Sequence, residues 1–195
     1  MSGRPDIVRP GEADDEAVND LLEEAQSDWY GDAAFFGAMA HVPPVFKRIV
    51  DTFEAFGQGE HVDPALFELM RLKVAECHQC AYCATVRTLE VRDEVADKET
   101  HVFGTIDEDG LTRREYLAVR LAEQLSENPH RITEEDFEEL RDVYTDSEII
   151  ELLLFGSLEV GLDRFCIALE LQTTGDGPYP DDIDYPLEEA RPERE

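Results

Sequence analysis

The stretch Glu68-Leu-Met-Arg-Leu-Lys-Val-Ala-Glu-Cys77-His-Gln-Cys80-Ala-Tyr-Cys83-Ala-Thr-Val-Arg87 decides how the chain reads. Asp63-Pro64 precedes it and opens a helix as N-cap and first-turn proline. Leu66, Leu69, Met70, Val74 and Cys77 give that helix its buried stripe. His78-Gln79 predicts a short break. A further helix is then expected to begin near Cys80 and to run towards Val95. Cys80 and Cys83 stand three residues apart, so in a helix they share one face and their sulfurs can approach.

Placed in a first helical turn, both thiols would meet unpaired backbone N–H groups and the positive end of the helix dipole. A free thiol with a pKa of about 8.5 is only a few per cent ionised at neutral pH. Lowering that value by about two units corresponds to roughly 2.7 kcal/mol of differential stabilisation. A helix end supplies about 1 kcal/mol. Arg87, four residues after Cys83 on the expected helical face, is the candidate for the remainder. A guanidinium stabilises a thiolate but cannot take the thiol proton. Glu68, twelve residues before Cys80, and His78 are the candidate proton acceptors.

Working outward, the pattern is helical throughout, and no strand-period segment of any length appears. Residues 1–12 read as a flexible arm and 13–27 as a first helix, followed by the aromatic-rich Trp29, Tyr30, Phe35 and Phe36. Pro43-Pro44 starts a second helix, ended by Gly57 and Gly59. Thr112 with Glu115 forms a capping box for a helix over 113–126. Thr133 caps another, and Asp146 is the expected cap of the last. That last helix, with Ile149, Ile150, Leu152, Leu153, Leu154, Phe155 and Leu158, is apolar nearly all round and demands cover on several sides. Residues 13–173 therefore read as one helical domain, and the acidic, proline-containing 174–195 as a mostly disordered tail.

Composition bounds the function. The 195 residues carry 47 acidic and 17 basic side chains, a formal net charge of −30. Nucleic acid and anionic lipid are repelled by such a surface. Only Lys47, Lys73 and Lys98 are lysines, a pattern expected of a salt-loving source. No 18-residue apolar run and no secretory leader pattern is read, which predicts a cytoplasmic chain without a membrane span. Three of the four cysteines fall within seven residues, which points to redox chemistry or metal rather than a secreted disulfide framework. Cys-x2-Cys-x2-Cys lacks the fourth cysteine and proline of an iron–sulfur run, and a zinc site would need His78, His101 or Cys166 as its fourth ligand. No metal and no bound cofactor is expected. Cys77 reads as a buried thiol or an alternative resolving thiol, and Cys166 as core.

Glu68 followed by Cys80-Ala-Tyr-Cys83 in an all-helical frame resembles the carboxymuconolactone decarboxylase/alkylhydroperoxidase D-like superfamily, over roughly Phe35 to Leu171. The resemblance implies an all-α, alkylhydroperoxidase D-like bundle, here with an N-terminal helical extension, assembling as trimers or hexamers. It further implies a peroxidatic Cys83, a resolving Cys80 and a proton relay through Glu68. The expected activity is reduction of an organic hydroperoxide or another small molecule, with a dithiol reductant or redox partner protein restoring the thiols. The chain departs from the family at two relay positions: Arg87 and Tyr82 stand where histidines are found. Two rival expectations follow: a decarboxylase-like acid/base enzyme with Arg87 binding a carboxylate, and a redox-sensing helical oligomer without turnover.

Overall fold

The computed structural model describes residues 3–57 and 61–172. The expected tail over 174–195 lies outside the described residues. Among the described residues, ten α-helices follow in order: α1 (Glu16–Glu24), α2 (Ala34–Met39), α3 (Pro43–Gly57), α4 (Pro64–His78), α5 (Ala81–Thr85), α6 (Arg92–Val95), α7 (Glu99–Val102), α8 (Arg113–Glu127), α9 (Glu134–Arg141) and α10 (Asp146–Leu169). No strand occurs among the described residues. A π-turn over Ala25–Trp29 extends α1.

Helix α4 is the axis of the bundle. Its residues from Ala65 to Ala75 are all buried, including Glu68, Arg71 and Lys73. It packs chiefly on α8 and α10. Met70 and Val74 meet Leu117, Leu121, Leu152 and Phe155 on one side. Leu69 and Leu72 meet Val91, Val95, Val102 and Val119 on another. A third cluster gathers Val18, Leu22, Phe35, Phe36, Phe46 and Val50 around the cysteine segment and the end of α10. The N-terminal segment lies on this cluster. Val8 donates its amide to Gly37, Arg4 pairs with Glu170, and Ile7 packs inward.

The caps are local and strong. Asp63 accepts from the Ala65 amide at 2.9 Å, and Thr112 with Glu115 and Thr133 with Asp136 form capping boxes. For α10 the cap is Thr145, boxed with Glu148, and Asp146 is its first residue rather than the expected cap. The Thr145 hydroxyl reaches the Glu148 amide while Glu148 reaches back, an arrangement Asp146 cannot make with any residue at the matching offset.

The helix expected from Cys80 to Val95 is the main departure. It stops at Thr85, and Val86 is extended, with ψ 153°. Continuation would require the Cys83 carbonyl to accept from the amide of Arg87. Instead the buried Arg71 guanidinium takes the Cys83 carbonyl at 2.5 Å and the Val86 carbonyl at 2.8 Å. A side chain from α4 thus ends α5. Arg87 consequently leaves the face it was expected to share with the cysteines.

Candidate active site

Gln79 closes α4 in the left-handed conformation, φ 55°, and turns the chain so that α5 starts at Cys80. Cys80 is the N-cap, its Sγ accepting from the Cys83 amide at 3.4 Å. Cys80 and Cys83 are joined as a disulfide. Cys80 is 1% exposed and Cys83 7%. The difference has a direction: Cys83, not Cys80, lines a small cavity of about 20 Å³, enough for about one water.

That cavity is walled by Tyr30, Phe35, Phe53, Tyr82 and, from α10, Glu159, Asp163 and Cys166. It adjoins a larger one of about 220 Å³, since Tyr30, Phe53 and Arg71 line both. The larger cavity is mainly apolar and aromatic, with Trp29, Phe36, Phe56, Phe67 and Phe155, and polar at Glu68, Arg71 and Thr88 and at the acidic Asp28, Glu54 and Glu90. Neither cysteine of the pair lines it.

Glu68 accepts from Arg71 Nε at 2.8 Å, Arg71 Nη2 at 2.6 Å, the Thr88 hydroxyl at 2.7 Å and the Thr88 amide at 3.2 Å. Burial pushes its carboxyl up, but the Arg71 guanidinium and Thr88 outweigh burial and hold it below the usual carboxylate range. A carboxylate held by four donors is a weak proton acceptor. Its observed work is to fix Arg71, which in turn shapes the segment from Cys83 to Val86.

Arg87 pairs with Glu99 through Nε at 2.7 Å and Nη2 at 2.9 Å. Its Nη1 donates to the carbonyls of Ala84 and Val86, closing the end of α5. Tyr82 donates its hydroxyl to Asp32 at 3.1 Å and accepts from the Phe35 amide at 3.3 Å. Burial, then Asp32, raises its phenol well above the usual range, so it stays neutral. His78 sits at the end of α4 with Nδ1 3.4 Å from Asp163 Oδ2. Cys77 is half-buried, and burial pushes its thiol up to about 12 despite Lys73. It is not among the sulfurs gathered at the pair.

Sequence reasoning missed the contribution of α10. Cys166 Sγ lies within 4.8 Å of the Cys80 and Cys83 sulfurs. Glu159 and Asp163 are 5% and 1% exposed and reach the same cavity. Burial pushes Glu159 up to about 8, Arg71 opposing and Asp163 and Glu68 reinforcing. Burial also raises Asp163, against His78, Arg71 and Arg164. The sequence signal was two acids, four apart, inside a largely apolar helix that also carries Glu151 and Arg164. The three sulfurs lie within the spacing of a shared metal site, and thiolates suit soft ions.

This arrangement of helices has counterparts. A cysteine-to-alanine variant of the debrominase Bmp8, in complex with 2,3,4-tribromopyrrole, is similar with a TM-score of 0.72 at 16% identity, covering 88% of this chain and 93% of that one. The alkylhydroperoxidase AhpD core, an uncharacterized peroxidase-related protein from Ralstonia eutropha JMP134, gives 0.66 at 19% identity over 89% and 92%. The fold is alkylhydroperoxidase D-like. A peroxidase-related protein from Silicibacter sp. TM1040 shares this alkylhydroperoxidase D-like fold at a TM-score of 0.69 and 17% identity, over 91% and 97%. No protein-family model matches the chain, and no curated protein matches it in sequence.

Proposed function

We propose that the chain is a dithiol–disulfide oxidoreductase that reduces small, apolar hydroperoxides through Cys83. One observation carries the reading: the Cys80–Cys83 pair sits at a helix start with Cys83 alone facing a cavity that adjoins an aromatic pocket. The reduced Cys83 thiolate attacks the peroxide oxygen and becomes a sulfenic acid, and the alcohol departs. Cys80 then attacks Cys83, forming the disulfide and releasing water. An external dithiol reductant restores both thiols. A pocket of about 220 Å³ lined by five phenylalanines suits a compact apolar group. The decarboxylase reading loses its carboxylate-binding arginine, since Arg87 is engaged by Glu99.

The test is peroxide consumption in molar salt with excess dithiol. Wild type is expected to turn over and Cys83→Ser to lose consumption by at least 100-fold. Undiminished turnover in the variant would overturn the reading. A second electron acceptor belongs in the same assay, because the pocket is aromatic and a fold relative binds a tribromopyrrole. Thiol-dependent bromide release from a bromopyrrole, without peroxide consumption, would move the reading to reductive dehalogenation.

A further inference from the structure

Glu159 stands out among the buried groups the redox reading leaves unused. It is buried, on the central turn of α10, and it lines the same small cavity as Cys83. Its Oε1 is buried and, among the described residues, has no hydrogen-bond partner. A buried polar atom without a partner keeps an uncompensated desolvation cost and calls for a role. Glu159 and Cys83 line the same small cavity, which has room for about one water; a water there would be the carrier of a proton between the two side chains.

Asp163 lines the same cavity and its two oxygens are likewise buried without a hydrogen-bond partner, but it lies beside His78, 3.4 Å away; most of the other neighbouring acids and bases are engaged. Glu68, on α4, is saturated by Arg71 and Thr88. His78, at the end of α4, and Arg164 face Asp163 instead. Tyr82, on α5, is bonded to Asp32. Burial drives the thiol of Cys166 and the phenol of Tyr30 far up, so both stay protonated. Arg71 is the cation that faces Glu159, with Asp163 and Glu68 as the anionic neighbours.

We propose that Glu159 is the proton donor and acceptor of the Cys83 site, taking the place of the side chains that Arg87 and Tyr82 do not supply. The proposal rests on the dithiol reading. In the resting reduced state Glu159 is a neutral acid and Cys83 a thiolate. The thiolate attacks the hydroperoxide, the O–O bond breaks, and Glu159 gives its proton to the departing alkoxide. The products are an alcohol, the Cys83 sulfenic acid and the Glu159 carboxylate. Cys80 then forms the S–S bond, and its thiol proton leaves with the hydroxyl as water. When an external dithiol reduces the disulfide, itself becoming a disulfide, the regenerated Cys83 thiol passes its proton to Glu159. Electrons and protons close over the cycle.

Two measurements on Glu159→Gln test this, with Glu159→Asp as the conservative variant. The first uses no peroxide. Reduced protein is alkylated with iodoacetamide from pH 5.5 to 10 in molar salt, and Cys83 modification is followed by peptide mass. In wild type the thiol and the carboxyl share protons, so the rate is expected to rise in two steps. Glu159→Gln is expected to collapse it to one step, and Glu159→Asp to keep two. A single step common to all three proteins overturns the proposal. The second measures tert-butyl hydroperoxide turnover. Wild type is expected to lose rate as pH rises through about 8, where Glu159 ceases to be an acid. Glu159→Gln is expected to fall about 100-fold at pH 7 and to lose that limb, while Glu159→Asp retains it. Unchanged turnover in Glu159→Gln overturns the proposal. Should wild type consume no peroxide, the hydroperoxide reading fails, and the alkylation profile alone still decides Glu159.

Discussion

Two buried acids four residues apart on α10 make a charge problem that the fold solves by protonation. Burial pushes the Glu159 carboxyl from the ordinary 4.5 up to about 8, and raises Asp163 as well. Between those limits the folded state holds a proton that the unfolded chain has released. Stability must then fall as pH rises from about 4.5 to about 8, by up to about 1.4 kcal/mol per pH unit for one proton. Glu68 has the opposite sign. Its lowered carboxyl contributes stability above the unfolded value of 4.5, lost as pH falls through the folded one. Urea unfolding of the oxidised protein at fixed molar salt is expected to show greatest stability near about pH 5. Glu159→Gln is expected to flatten the decline towards pH 8, leaving the share of Asp163. An unchanged slope would show that Glu159 is ionised in the folded protein. The sequence showed two acids four apart on the last helix but not where they point. Glu68, Cys80 and Cys83 announced themselves by spacing within one stretch. Glu159, Asp163 and Cys166 reach the same cavity from a helix some 80 residues away, and only packing reveals it.

At the scale of the element, what could be read depended on where the deciding atoms lay. Helices α3, α4, α8 and α9 start at a proline pair or at caps within three residues of the first turn, so local sequence specifies them. The end of α5 is decided by Arg71, twelve residues before Cys83, and by Arg87 folding back on its own carbonyls. No periodicity carries that information, so a helix to Val95 was the natural and mistaken extrapolation. The start of α10 offers the sharper test of local control. Thr145 and Glu148 close a capping box, and Arg114 joins Glu148 at 2.7 Å. Loss of the hydroxyl in Thr145→Ala is expected to cost about 1 kcal/mol, a fall of roughly 2–4 °C in the unfolding midpoint of a chain this size. The control Asp146→Asn should move the midpoint by less, because Asp146 does not cap. Equal losses in the two variants would return the cap to Asp146.

The whole molecule carries its charge as a constraint on conditions. With 47 acidic and 17 basic residues, the carboxylates outnumber the basic side chains by 47 − 17 = 30. Such pairs as Arg120 with Asp136 and Glu139, and Lys98 with Glu115, lie at least partly in solvent, where each contributes at most about 1 kcal/mol. Salt weakens these attractions and the far more numerous repulsions together, and the excess of repulsion decides the sign. Apolar cover adds to the same balance. Ile150 and Leu154 on α10 are 56% and 60% exposed, and a second copy laid over them would bring two highly acidic surfaces together. Both folding and any such assembly should therefore strengthen as sodium chloride rises. The screening length falls from about 30 Å at 0.01 M to about 3 Å at 1 M, so most of the gain should arrive below about 0.5 M and then level off. The unfolding midpoint, followed by far-UV circular dichroism at pH 7 against sodium chloride, reads this directly. A saturating rise identifies screening of the carboxylate surface. A midpoint that falls with salt would mean that the solvent-facing ion pairs outweigh the net charge, and the salt-loving reading of the composition would be wrong.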